Sequence, residues 1–187
     1  MISPLLPAAG RLLISEPFML DPNFKRSVIY LTQYDDTGAT GFVLNQRNDA
    51  VFGDVISDVP YSEIPVYTGG PVGTDTLHFL HTLPDKISNG LEVLPGLFWG
   101  GDFEQIKEMA KAGVIDPAGI KFFVGYSGWS AGQLDAEINE NVWLVSETAD
   151  FDIIFSQDEA ELWKNAVRGL GSRFAHIANF PEDPALN

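Results

Sequence analysis

The sequence predicts an α+β or mixed α/β domain built on a mostly antiparallel or mixed sheet. Three observations point there. Strand signals crowd the early part of the chain, and helix start signals crowd the later part. Strands and helices do not alternate regularly, which argues against a doubly wound dinucleotide-binding fold.

Taken in chain order, residues 11–15 (RLLIS) form a short apolar run. Residues 27–34 (SVIYLTQY) are β-branched and aromatic, Asp35-Asp36-Thr37-Gly38 is a turn, and 39–45 (ATGFVLN) follow as a second strand, so the pair reads as a hairpin. A short helix fits 51–58. Residues 65–68 and 76–81 are strands around the Gly69-Gly70-Pro71 turn. Residues 91–94 and 97–100 are weaker strands, 120–126 (IKFFVGY) is a strong one, and 141–146 (NVWLVS) is another. Asp102 precedes a helix over 103–112, with Gln105 three residues on and Gly113 as its stop. Ser130 stands in the same relation to Gln133 before a helix over 131–139, and Ser156 to Glu159 before one over 157–170 that Gly171 ends. In this last helix Leu162, Trp163, Ala166, Val167 and Leu170 share one face.

The length of 187 residues suits one domain, 1–187, against a usual range of ~100–200. There are 11 Lys+Arg against 26 Asp+Glu, a net charge of −15. Such a chain is repelled at long range by DNA and by anionic membranes, so neither direct nucleic-acid binding nor a membrane partner is expected. The charge is uneven: residues 1–50 hold 4 basic and 5 acidic side chains, and the remainder 7 and 21. An anion site is therefore best placed near Arg11, Lys25, Arg26 and Arg47. Cysteine is absent, which excludes disulfides, thiolate catalysis and cysteine-held metals. No secretory leader pattern or membrane-length apolar run is visible, so the expected compartment is the cytoplasm.

Gly128-Trp129-Ser130-Ala131-Gly132 fits G-x-S-x-G, and His176 with intervening acids supplies a triad order. The stronger reading is structural: Ser130 as a helix N-cap, with the glycines serving a strand-to-helix turn. His78 and His81 are three apart, and on a strand that spacing sends the rings to opposite faces, against a metal pair. Gly69-Gly70-Pro71 lacks the endings of phosphate-binding loops and reads as a turn with unusual dihedrals. Arg26 either clamps an anion or pairs one of the many acids, the commoner outcome in so acidic a chain. No motif calls for a metal or a cofactor.

Several ordered blocks resemble the AlgH/YqgE family of bacterial proteins across nearly the whole length. They are Asp21 to Leu31, Gly38 to Asn45, Gly69-Gly70-Pro71-Val72, Leu77 to His81, Gly125 to Leu134, then Glu137-Ile138, Trp143, Leu162-Trp163 and Leu170-Gly171. The resemblance implies an α+β fold whose mixed, partly barrel-like sheet is surrounded by helices, with no helix-turn-helix. It implies no established biochemical activity, although many members carry a transcriptional-regulator label. The family often has proline at the position of Ala131 and residues other than serine at Ser130, which counts against a catalytic serine. The expected function is a cytoplasmic, non-catalytic binding or regulatory protein; a serine hydrolase using Ser130 and a direct DNA-binding regulator are the alternatives. The expected ligand is a small anion or a protein partner. Its expected contacts are Arg26, Asn45, Gly69, Gly70, Tyr126 and Trp129.

Overall fold

The computed structural model describes residues 5–181. The early apolar and β-branched runs form β1 (Arg11–Ser15), β2 (Val28–Asp35) and β3 (Gly38–Val43), with β2 and β3 closed as a hairpin at Asp35 and Gly38. Asp35 Oδ1 accepts the Thr37 N–H at 2.8 Å, the local bond that favours this turn. A short strand β4 (Arg47–Val51), absent from the sequence reading, leads into the single-turn helix α1 (Phe52–Val55). There follow β5 (Pro65–Thr68), β6 (Val72–His81), β7 (Leu91–Leu94), β8 (Leu97–Trp99) and α2 (Phe103–Lys111). The second half holds β9 (Ile120–Ser130), α3 (Gln133–Asn139), β10 (Trp143–Thr148), α4 (Phe151–Ile154), α5 (Glu159–Gly169) and a closing 3-10 turn, Ala175–Asn179.

The ten strands form one curled sheet in the order β10-β1-β2-β3-β9-β6-β8-β7, with β4 on β5 and β5 on β9. Every pairing is antiparallel except β5 with β9. The strand β9 is the hinge of this arrangement. Its start lies between β5 and β6, Phe123 opposite Tyr67 and His78, and its end pairs β3, Trp129 opposite Ala39. The sheet therefore forks where β9 exchanges β5 for β3. Period-two alternation splits β9 between two cores. Phe123 joins the cluster beneath α5, around Trp163, Phe42 and Tyr30, whereas Phe122 joins Phe52, Ile106 and Phe79 beneath α1 and α2. A third cluster packs α3 through Leu134 and Ile138 on Trp129, Trp143 and Leu13.

Two helix starts and one capping partner differ from the sequence reading. Ser130 does not cap α3: it is the last residue of β9, paired with Gly38, and Gly132 at φ 73° is the cap. Half of the capping box survives, since Ser130 N–H donates to Gln133 Oε1 at 3.0 Å. Gly128 and Trp129 accordingly lie within the strand, extended by β3, and not in a strand-to-helix turn. Asp158, not Ser156, caps α5, its Oδ1 accepting the Glu161 N–H. Asp102 does cap α2, but Gln105 reaches across to the Ser88 N–H instead of back to the cap.

Among the described residues no helix is long and apolar enough to cross a membrane. The ends of the expected single domain, residues 1–4 and 182–187, lie outside the described residues.

Candidate functional site

The fork in the sheet is closed by glycines because nothing larger fits. Gly69 N–H donates to Val124 O at 2.9 Å, while its own carbonyl accepts from Val43 N–H at 2.9 Å and from the buried Ser127 hydroxyl at 3.0 Å. A Cβ on Gly70, which sits at φ 155°, would lie 2.3 Å from the Tyr126 carbonyl carbon and oxygen. Gly69, Gly70 and Tyr126 thus meet backbone to backbone. The Tyr126 ring stands edge-on to His78, centroids 5.8 Å apart, and His78 also faces Phe42. Burial holds the His78 imidazole below its ordinary pKa.

Arg26, on the loop between β1 and β2, meets Asn45, on the connection between β3 and β4. Arg26 is a non-glycine residue at φ 47°, a left-handed conformation that costs about 1–2 kcal/mol. Asn45 holds it there: its Nδ2 donates to Arg26 O at 2.9 Å and its Oδ1 accepts the Val28 N–H at 2.9 Å. The strained backbone lays the guanidinium over Trp163, 4.7 Å from the ring centroid. Nη2 donates to Phe180 O, while Nε is buried and unpartnered. The chain's excess of acid led us to expect an acidic partner for Arg26; among the described residues it has none. A groove of about 340 Å³ opens here, bounded by Lys25, Arg26, Asn45, Trp163, Lys164 and the acids Glu159 and Glu161.

Trp129 belongs to a different groove, of about 350 Å³. It is only 7% exposed, and its indole Nε1 donates to Glu137 Oε2 at 2.9 Å. Trp143 Nε1 donates to the same oxygen at 2.7 Å, and Gln133 Nε2 to Oε1 at 2.9 Å. One carboxylate thereby ties α3 to β9 and β10. The six expected residues divide: Arg26 with Asn45 on one groove, Trp129 on the other. Gly69, Gly70 and Tyr126 lie at the fork, from which Pro71 and Val72 continue into the wall of the Trp129 groove.

Ser130 carries none of the furniture of a nucleophile. It is exposed, and its hydroxyl has no histidine partner among the described residues. The histidines are engaged elsewhere: His78 with Thr76, His81 with Gly100 O and the Leu83 N–H, and His176 against Phe180.

Sequence reasoning passed over a buried polar group under α5. Lys121 is 2% exposed, its Nζ donating to Ser156 O at 2.8 Å and lying 3.9 Å from the Tyr67 ring centroid. Desolvation pulls its pKa down from 10.5 to about 7, against a smaller upward pull from Glu159. The Tyr67 hydroxyl donates to Glu159 Oε1 at 2.8 Å, and Arg47 approaches the same oxygen at 3.9 Å. The only sequence signal was one lysine in an otherwise apolar strand.

A family model described as AlgH-like matches residues 12–175. The chain belongs to the AlgH-like family. Its relatives include a UPF0301 protein of Chlorobaculum tepidum, 41% identical over 95% of each chain. Another, from Bacteroides thetaiotaomicron, is 40% identical over 98% of this chain and 93% of that one. Among solved structures, the AlgH protein of Pseudomonas aeruginosa matches with a TM-score of 0.73 and 31% identity, over 92% of this chain and 94% of that one. A Corynebacterium diphtheriae protein matches in fold with a TM-score of 0.77 at 24% identity, over 96% and 95%. The AlgH-like fold is thus the curled sheet with its surrounding helices, and the family is one of unknown function.

Proposed function

We propose that this AlgH-like protein is a non-catalytic, cytoplasmic binding protein, and that the Arg26 groove receives an anionic group from a small ligand or an acidic protein segment. One observation carries the reading. Arg26 is held in a strained backbone conformation by Asn45, is stacked on Trp163, is not neutralised by a described acid, and keeps a buried donor unpartnered. Strain of this kind persists where surroundings enforce it, and it concentrates at binding sites. A buried donor without an acceptor is costly, and a carboxylate or phosphate oxygen would satisfy it. Lys25 and Lys164 add positive potential at the rim, against Glu159 and Glu161.

The test is an NMR titration of isotopically labelled protein with acetate, inorganic phosphate and a triglutamate peptide. We expect the Asn45 side-chain amide and the Ala160 and Glu161 backbone signals to move. A response to phosphate but not to the peptide identifies a small ligand; the reverse identifies a protein partner. Arg26→Lys should weaken the response about tenfold, because it removes the planar fork and the stacking. No movement with any of the three anions at millimolar concentration would remove the reading.

A serine hydrolase at Ser130 predicts fluorophosphonate labelling, and we expect none. A direct DNA-binding regulator predicts salt-sensitive gel shifts, and we expect none of these either. Among the described residues α5 opens on the acids Asp158, Glu159 and Glu161 and turns Leu162, Trp163, Ala166 and Val167 into the core. Those acids would face phosphate with the wrong charge.

A further inference from the structure

The Trp129 groove has the opposite character from the Arg26 groove. Its walls are the loop bearing Met19 and Phe24, the turn bearing Pro71 and Val72, and the α3–β10 face bearing Val142. At its base the Glu137 carboxylate is fixed by the two indole N–H groups and Gln133, and Asp21 is exposed at its rim. Neither carboxylate has a cationic partner among the described residues. Val72 is 40% exposed, and Leu20, beside Met19 and Asp21, is 95% exposed.

The charged residues lining this groove, Asp21 and Glu137, are both acidic. Every residue lining the groove comes from one of three stretches that contain no Lys or Arg: 12–24, 48–85 and 122–163. An apolar groove with fixed carboxylates and no local cation is complementary to a cationic group flanked by apolar side chains.

We propose that this groove docks a basic segment of a protein partner: an arginine or lysine directed at Glu137 and Asp21, with a neighbouring aliphatic residue against Val72 and Leu20. Glu137 is preorganised for this role, because its three donors fix the carboxylate before any partner arrives. The proposal does not depend on the Arg26 groove, and the two sites take opposite charges.

The indole N–H signals of Trp129 and Trp143 report on the site, while those of Trp99 and Trp163 serve as internal controls. The probe is an acetylated, amidated pentapeptide, Ala-Leu-Arg-Leu-Ala, compared with twins bearing citrulline or glutamate at the centre. We expect the arginine peptide to shift Trp129 and Trp143 but not the controls, and the citrulline twin to bind about five-fold more weakly or worse. Raised salt should narrow that gap. Asp21→Asn, which keeps an Oδ1 acceptor for the Asn23 N–H, should weaken arginine-peptide binding without lowering the melting temperature. Equal binding of the citrulline or glutamate twin would overturn the proposal. So would unmoved indole signals, or shifts that follow protein concentration alone and so mark a second copy of this chain as the occupant.

Discussion

Replacing Lys121 by methionine should stabilise the fold at neutral pH, and by an amount that fades as the pH rises. Lys121 titrates at about 7 in the fold, against 10.5 for an ordinary lysine. At about 1.36 kcal/mol per unit, keeping the ammonium buried costs roughly 4 kcal/mol at pH 7 and only about 1 kcal/mol at pH 9.5. The sign follows from proton counting. Between pH 7 and 10.5 the unfolded chain binds the proton more readily than the fold does, so wild-type stability rises with pH across that window. Below pH 7 both states are protonated and the effect is flat. Methionine has similar length and no charge, but it gives up the Nζ bond to Ser156 O and the contact with the Tyr67 ring, together about 2 kcal/mol. The variant should therefore gain about 2 kcal/mol at pH 7, or several degrees in melting temperature, and lose about 1 kcal/mol at pH 9.5. Urea melts of both proteins at the two pH values measure this. If the two stabilities change in parallel with pH, or if the variant is weaker at pH 7, Lys121 is not a buried, strained ammonium.

Ser130→Ala should leave stability within about 0.5 kcal/mol, because the hydroxyl caps nothing, whereas Gln133→Ala should cost about 1 kcal/mol by freeing the Ser130 N–H and one Glu137 contact; chemical melts separate the two. Gly70→Ala should destabilise by about 3 kcal/mol or more through the clash with the Tyr126 carbonyl, read as a lowered melting temperature or an insoluble product. His81 is buried with both ring nitrogens bonded, and burial holds its pKa below the usual value. The unfolded chain therefore takes up a proton first as pH falls through 6.5, and stability drops in that range; melts at pH 7.5 and 5.5 should show a shallower drop for His81→Gln, and equal drops would refute the assignment.

The strands were legible where side-chain pattern alone sets them. The runs now in β1, β2 and β5 are buried on the faces their composition implies, and the Asp35–Gly38 turn uses chemistry local to four residues. Helix starts were less legible, because capping is a competition among neighbours. Asp158 displaced Ser156 two residues earlier in the chain, and Gly132 displaced Ser130 because β3 had already claimed Ser130 as a strand partner. That second displacement depends on Gly38, far back in the chain, which no local spacing can register. β4 was missed for a related reason: it opens on the polar Arg47-Asn48-Asp49, and only pairing with β5 makes it a strand. In the candidate site, Arg26 and Asn45 lie together, but the partition of Trp129 into a separate groove is set by the Glu137 carboxylate, a side chain whose role shows only once α3 is folded back on β9 and β10.

The forked course of β9 has a bearing on how this molecule comes apart. A strand that serves β3, β5 and β6, feeds the cores on both of its faces and joins the α3 cluster through Trp129 holds the two arms of the fork together, so the arms cannot part while β9 keeps its pairings. Native-state hydrogen exchange should then show the amides of β9 and of the partner positions on β3, β5 and β6 opening together, at the free energy of global unfolding. The outer strands β7 and β8, paired among the described residues only with each other and with the end of β6, should exchange through smaller, separate fluctuations. Refolding should carry the complementary signature: a slow main phase, because the parallel β5–β9 pair joins segments more than fifty residues apart and must close that loop before either core can form.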